Sequence, residues 1–172
     1  EACIQQRVLN ILEQDYPANK LEILVGSDGS TDQTNDILEK IDAANVKTCL
    51  YAENRGKISV LNDLVGLATG EIIVMTDANT VYQGDAIQML VRHFSDPTLG
   101  AVCGELNLVD KQSGENRDSA YWRYEQVLKF HESRLGALLG ANGAIYAIRR
   151  ELYEPLPVDT IIDDFQIVMN IS

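Results

Sequence analysis

No stretch of this chain stays apolar for the ~18 residues that a helix needs to cross a bilayer, and no charged-then-apolar leader opens it. Cysteine is sparse: Cys3, Cys49 and Cys103 show no Cys-x-x-Cys or Cys/His spacing, which favours buried reduced thiols over a disulfide framework or a zinc site. His93 and His131 have no partner at metal-ligand spacing and are assigned no role. Basic charge is short as well, with 14 Lys and Arg against 26 Asp and Glu, so the net charge of −12 repels polyanions and no nucleic acid partner is expected. An acidic protein can still hold a phosphorylated substrate if a divalent cation neutralises the phosphates. Finally, no Gly-x-Gly-x-x-Gly follows any apolar run, which excludes a dinucleotide oxidoreductase.

What is present is ordinary globular material: 45% hydrophobic and 23% charged residues over 172 positions, enough for one domain with a sizeable core. Ile4, Val8, Ile11 and Leu12 recur at helical spacing until Pro17 stops them. Leu21–Val25, Val46–Tyr51, Glu71–Thr76, Ala101–Leu108 and Ala144–Arg149 read as strands. Asp32–Ile41 (capped by Ser30 or Thr31), Lys57–Thr69, Asp85–Phe94, Ser119–Leu139 and Asp164–Ile171 read as helices, and Lys111–Asp118 as a polar loop. Strands alternating with helices predict an α/β fold with a mostly parallel central sheet flanked by helices, formed by residues 1–172 as a single unit.

In such sheets ligands bind beyond the carboxyl ends of the strands. Asp28 and Asp77 both fall there, and neighbouring strands would aim them into one crevice. Asp28, inside Ser27-Asp28-Gly29-Ser30-Thr31-Asp32, reads equally as a turn-forming or capping acid. Asp77-Ala78-Asn79 places two oxygen donors around one residue, which suits Mg²⁺ or Mn²⁺ bridging a diphosphate and also suits an Asx turn. Asn54-Arg55-Gly56-Lys57 combines two cations with a glycine before a helix, an anion-contacting loop or a solvated basic one. Asp163-Asp164 after Ile161-Ile162 reads as a helix cap or as a carboxylate pair supplying a general base. Trp122 reads as a packing residue or a platform for a sugar ring.

These pieces together resemble family 2 glycosyltransferases. The similar stretches run in family order: Gln14-Asp15-Tyr16-Pro17, Glu22–Val25 into Ser27–Thr34, Asn54–Lys57 with Leu61-Asn62, Gly70–Asn79, Gly140–Arg150, and Asp163-Asp164. The resemblance implies a Rossmann-like nucleotide-diphospho-sugar transferase fold, and an opening strand, central in the family sheet, preceding Glu1. It implies a donor site from Asp28, Ser30, Asn54, Gly56, Lys57, Asn62, Asp77, Ala78 and Asn79. Asp77 and Asn79 match the Asp-x-Asp metal and diphosphate motif, with Asn replacing the second Asp. Asp164 matches the catalytic base, and Asp163 stands in place of the commoner Glu.

The implied reaction moves a sugar from a nucleoside-diphosphate donor, expected to be a UDP-sugar, to an acceptor hydroxyl with inversion, for cell-surface or extracellular polysaccharide. The implied acceptor is a sugar, glycan or lipid-linked glycan. The domain is expected in the cytoplasm at the inner face of the plasma membrane, joined to the membrane only through segments outside this chain. Two other readings stay open: a sugar nucleotidyltransferase, and a non-catalytic nucleotide-sugar-binding module favoured by Asn79. A phosphatase of the Asp-x-Asp-Gly-Thr kind is excluded, because Gly26 occupies the nucleophile position.

Overall fold

A computed structural model of the chain describes residues 1–106 and 143–171. The expected helix Ser119–Leu139, the loop Lys111–Asp118, and Trp122, His131 and Gly140 all lie outside the described residues. The elements in order are helix α1 (Ile4–Leu12), strand β1 (Ile23–Asp28), α2 (Thr34–Glu39), β2 (Val46–Tyr51), α3 (Lys57–Leu67), β3 (Ile72–Met75), α4 (Ala86–Val91), β4 (Ala101–Cys103), β5 (Tyr146–Arg149) and α5 (Asp163–Ile171). The expected α/β architecture is present. Its parallel part is β1–β2, where Ile23 faces Val46 and Asp28 faces Tyr51. The second sheet runs β3-β5-β4 and pairs antiparallel throughout, a direction that apolar runs cannot encode.

Strand β5 is the spine of the core, and its period-two alternation serves both faces. Tyr146 and Ile148 pack with Ile58 and Val65 of α3 and Ile167 and Val168 of α5 on one side. Ala147, with Ile145 just before the strand, packs with Tyr82 and with Ile87 and Leu90 of α4 on the other. The result is helix, sheet and helix in three layers. Strand β2 has the expected ends, and elsewhere element ends differ from expectation by at most five residues. At the start of α2 Gln33, not Ser30 or Thr31, holds the N-cap position, without a side-chain cap bond; Asp32 Oδ1 accepts from Thr34 N at 3.0 Å, while Ser30 is bonded to Ser27. Cys3, Cys49 and Cys103 are half-buried rather than buried.

Between the two sheets lies a cavity of about 740 Å³, walled by Ile23 and Leu24 of β1 and by Ile72 to Met75 of β3. Among the described residues each of these strands has one edge without a strand partner. The strands run the same way. At one end Glu22, just before β1, accepts from Thr69, just before β3, at 2.9 Å; at the other, Lys57 reaches Asp77 at 3.9 Å. Beyond that second end the polar residues gather.

Candidate active site

Strand β1 ends at Asp28, and the chain turns at Gly29 with φ of 65°. A side chain there would also run into Asn54, whose N would sit 2.5 Å from a Cβ. The turn therefore brings the Asn54–Lys57 loop against Asp28. The Asp28 carboxylate holds that loop with both oxygens: Oδ1 accepts from Arg55 N at 2.7 Å and Oδ2 from Gly56 N at 2.9 Å. Asn54 Nδ2 donates to the Asp28 carbonyl at 3.2 Å. Asp28 thus builds the loop that starts α3. Ser30 is tied into the turn by Ser27 Oγ at 2.8 Å.

Lys57 is the first residue of α3 and reaches across the strand ends. Its Nζ lies 2.8 Å from Asp163 Oδ2, 3.1 Å from Oδ1 and 3.9 Å from Asp77 Oδ1. Burial opposes its charge, but the hydrogen bond and field of Asp163, with Asp77 and Asp164 behind, prevail and raise its pKa. Asp163 and Asp164 open α5, where the helix dipole favours acids. Asp164 Oδ1 accepts from Phe165 N at 2.9 Å. A Cβ on Gly143 would lie 3.0 Å from Asp164 Oδ2 and 3.8 Å from Asp77 Oδ2, so both carboxylates come close to the bare backbone there. Burial, then the fields of Asp163 and Asp164, push the Tyr146 phenol up; burial, then Asp163, raise Tyr153 to about 12.

Asp77, Asp163, Asp164, Lys57 and the Asp28-held loop are thus brought together, with Ala78 and Asn79 exposed beside them. Asn62 is not. Its Oδ1 accepts from Tyr153 OH at 2.6 Å and Leu156 N at 3.0 Å, and its Nδ2 donates to Leu156 O at 2.9 Å. The donor role expected for Asn62 is corrected: it clamps α3 to the segment leading into α5. Sequence reasoning also missed Gly143 and the α1 residues Arg7, Asn10 and Gln14. The first lay in what read as a plain small-residue turn. The others carry a polar face at helical spacing, a signal masked by the apolar one at Ile4, Val8 and Ile11.

For a divalent cation the donor set is the Asp77 carboxylate, 46% exposed, and the Asn79 amide oxygen. Among the described residues no group of three or more His, Cys, Asp or Glu is placed to hold a metal. One carboxylate and one amide nevertheless suit a hard cation that draws its other ligands from diphosphate and water, so the residues fit Mg²⁺ or Mn²⁺.

Fold and crevice define the class: an α/β domain with a carboxylate-lined ligand site beyond its strand ends. The chain belongs to glycosyl transferase family 2, whose family model matches residues 1–156. Asp163 and Asp164 lie just past that match. The poly-beta-1,6-N-acetyl-D-glucosamine synthase of Staphylococcus aureus (strain COL) is 34% identical over 151 residues, 86% of this chain and 36% of that protein. The synthase of the same name from Staphylococcus epidermidis is 27% identical over 171 residues, 95% of this chain and 41% of that protein. Among solved structures, a mannosyltransferase from Pyrobaculum calidifontis in complex with GDP-Man and Mn²⁺ superposes with a TM-score of 0.77 at 30% identity, covering 96% of this chain and 47% of that one. TarS of S. aureus, in complex with UDP-GlcNAc, shares the fold with a TM-score of 0.72 at 19% identity, covering 99% of this chain and 50% of its own. This chain therefore spans well under half the length of these two curated relatives.

Proposed function

We propose that this domain transfers a sugar from a nucleoside-diphosphate donor, a UDP-sugar in the first instance, to an acceptor hydroxyl with inversion, in the synthesis of a cell-surface or extracellular polysaccharide. The reading is carried by the division of labour among the acids: Lys57 neutralises Asp163, while Asp164 makes no ion pair among the described residues and, like Asp77, has its Oδ2 beside the bare backbone of Gly143. Asp164 is then the base. Its Oδ2 takes the proton of the acceptor hydroxyl as the hydroxyl oxygen bonds to the anomeric carbon. The bond to the diphosphate breaks on the opposite face, and the electron pair leaves with the diphosphate.

The Asn54–Lys57 loop, fixed by Asp28 and backed by Ser30, seats the donor, and Asp77, Ala78 and Asn79 flank its diphosphate. Lys57 turns from Asp163 toward the phosphates once they arrive. A bound Mg²⁺ or Mn²⁺ supplies stabilisation of the charge growing on the leaving diphosphate. The acceptor is a sugar, glycan or lipid-linked glycan. The domain works at the cytoplasmic face of the plasma membrane, held there by segments outside residues 1–172; fractionation of the full-length protein into the soluble pool would refute that placement. Among the described residues no helix is long and apolar enough to cross a membrane.

The test is a panel of nucleotide sugars offered to the full-length protein with Mn²⁺ and with Mg²⁺. Transfer giving an inverted anomeric configuration by NMR is expected. A second reading, a non-catalytic nucleotide-sugar-binding module, is favoured by Asn79 in the motif. Donor binding with neither transfer nor donor hydrolysis would overturn the first reading and leave this one.

A further inference from the structure

Arg7 is the one charged residue in the core among the described residues, 4% exposed on the inner face of α1. One terminal nitrogen donates to Asn10 Oδ1 at 2.9 Å and the other to Thr76 Oγ1 at 2.6 Å. The guanidinium carbon sits 3.9 Å from the centroid of the Tyr82 ring. Its Nε is buried without a hydrogen-bond partner, and among the described residues no carboxylate pairs with it. A desolvated charge left in this state adds little to the fold, because an apolar side chain of similar volume would fill the space at lower cost.

The contacts converge on one place. Thr76 Oγ1 lies 3.2 Å from the Asp77 carbonyl and 3.1 Å from that of Ala144. Asn10 accepts from Tyr82 N at 2.7 Å and donates to Tyr82 O at 3.0 Å, fixing the far end of the Asp77–Tyr82 segment. Burial lowers the pKa of Arg7, and Tyr82 and then Asp77 oppose that shift, so Asp77 is the carboxylate whose field reaches the guanidinium.

We propose that Arg7 is a positioning residue that also acts through its charge. It braces both ends of the Asp77–Tyr82 segment, and its fixed charge lies beneath the seat of the donor's diphosphate. The inference rests on the donor reading above. It explains how a motif reduced to one carboxylate can serve an anionic ligand in a protein of net charge −12. The same charge must repel a free cation at Asp77, and these two consequences have opposite signs.

The experiment uses full-length protein as parent, Arg7→Met and Arg7→Lys, with Mn²⁺ binding read by electron paramagnetic resonance and UDP or GDP binding in saturating Mn²⁺ by calorimetry. In Arg7→Met, Mn²⁺ alone should bind more tightly and the nucleoside diphosphate more weakly, each on the order of tenfold for a unit charge removed in a protein-like dielectric. Arg7→Lys keeps the charge and gives up the brace, so Mn²⁺ should bind as in the parent, while the nucleotide loss should be smaller than in Arg7→Met. Losses of equal factor for Mn²⁺ and nucleotide in either variant would mean disorder alone and would overturn the proposal. Should Arg7→Met fail to fold, Arg7→Lys decides: a severalfold tighter Mn²⁺ binding there, with the charge kept, is the refuting result. A parent that binds neither UDP nor GDP removes the donor reading and this proposal with it, whereas a binding parent with indifferent variants removes this proposal alone.

Discussion

Replacing Asp164 and Asp163 one at a time by Asn separates chemistry from architecture, because the amide keeps the shape and removes only the basic oxygen. Asp164 Oδ1 is engaged with Phe165 N, and an Asn side-chain oxygen can accept that bond equally well, so the start of α5 should survive. Oδ2, beside the bare backbone of Gly143, is what the substitution disables. Proton abstraction contributes ~10²–10⁴-fold, so transfer should fall by that factor, about 3–5 kcal/mol of barrier, with donor binding and melting temperature nearly unchanged. Asp163 differs. Its partner Lys57 is 61% exposed, so the pair ranks with solvent-screened bridges worth ~0.2–1 kcal/mol, or at most about 4 °C in a domain of this size. Asp163→Asn should therefore lower the melting temperature slightly and release Lys57 toward Asp77, raising the metal needed for half-maximal rate. Transfer rates, metal titrations and thermal melts on full-length variants give all three quantities. An Asp164→Asn enzyme with normal turnover refutes the base assignment, and an Asp163→Asn enzyme that loses more activity than Asp164→Asn moves the role back one residue.

Asp77→Ala should abolish the difference between nucleoside diphosphate binding in Mn²⁺ and in chelator, whereas Asn79→Asp should preserve or increase it; metal-independent binding by the parent in calorimetry would remove the metal assignment. Gly29→Ala forces a side chain into left-handed backbone and against Asn54, so it should cost more than about 1 kcal/mol and weaken donor binding; an unchanged denaturation midpoint would contradict the turn geometry. Glu22 has its pKa lowered by Lys47 and then by Thr69, so the stability it adds is present above the ordinary glutamate range and disappears on acidification through its lowered value. Parent and Glu22→Gln should accordingly converge in melting temperature at low pH and differ near neutrality. Lys57 has its pKa raised, so its bridge is intact at neutral pH and should be lost only as pH climbs beyond the lysine range; a transition near pH 8 in the Lys57-dependent part of the melts would contradict this.

The strands were legible because burial on both faces writes them as short apolar runs, and Val46–Tyr51 coincides end for end. Direction was not legible: β5 inserts between β3 and β4 and runs against both, and an apolar run reads the same either way. The acids at strand and helix ends stood out because a carboxylate after a buried strand is unusual chemistry. Asn62 misled, since an amide on a helix face can serve a ligand or a neighbouring loop, and only the position of Tyr153 and Leu156 decides. Arg7 escaped notice because sequence periodicity treats a charge as a solvent marker, while here Tyr82 and Thr76 supply a polar lining for it. Gly143 escaped because its contribution is the absence of a side chain close to Asp164 and Asp77.

The cavity between β1 and β3 also bears on mechanics. Adjacent strands in a continuous sheet are locked at about 4.8 Å by their ladder, which makes the sheet stiff in its plane. Across this cavity there is no ladder among the described residues; Glu22 meets Thr69 at one end, Lys57 meets Asp77 and Asp163 at the other, and α3 and α1 pack alongside. Lys57 opens α3, which packs on β1 and, through Ile58 and Val65, on β5 and α5. A ligand that draws Lys57 away from Asp163 therefore removes one of the rim contacts and leaves the packing of α3 in place. An extended segment laid along the two open edges would add backbone hydrogen bonds to those contacts and stiffen the joint.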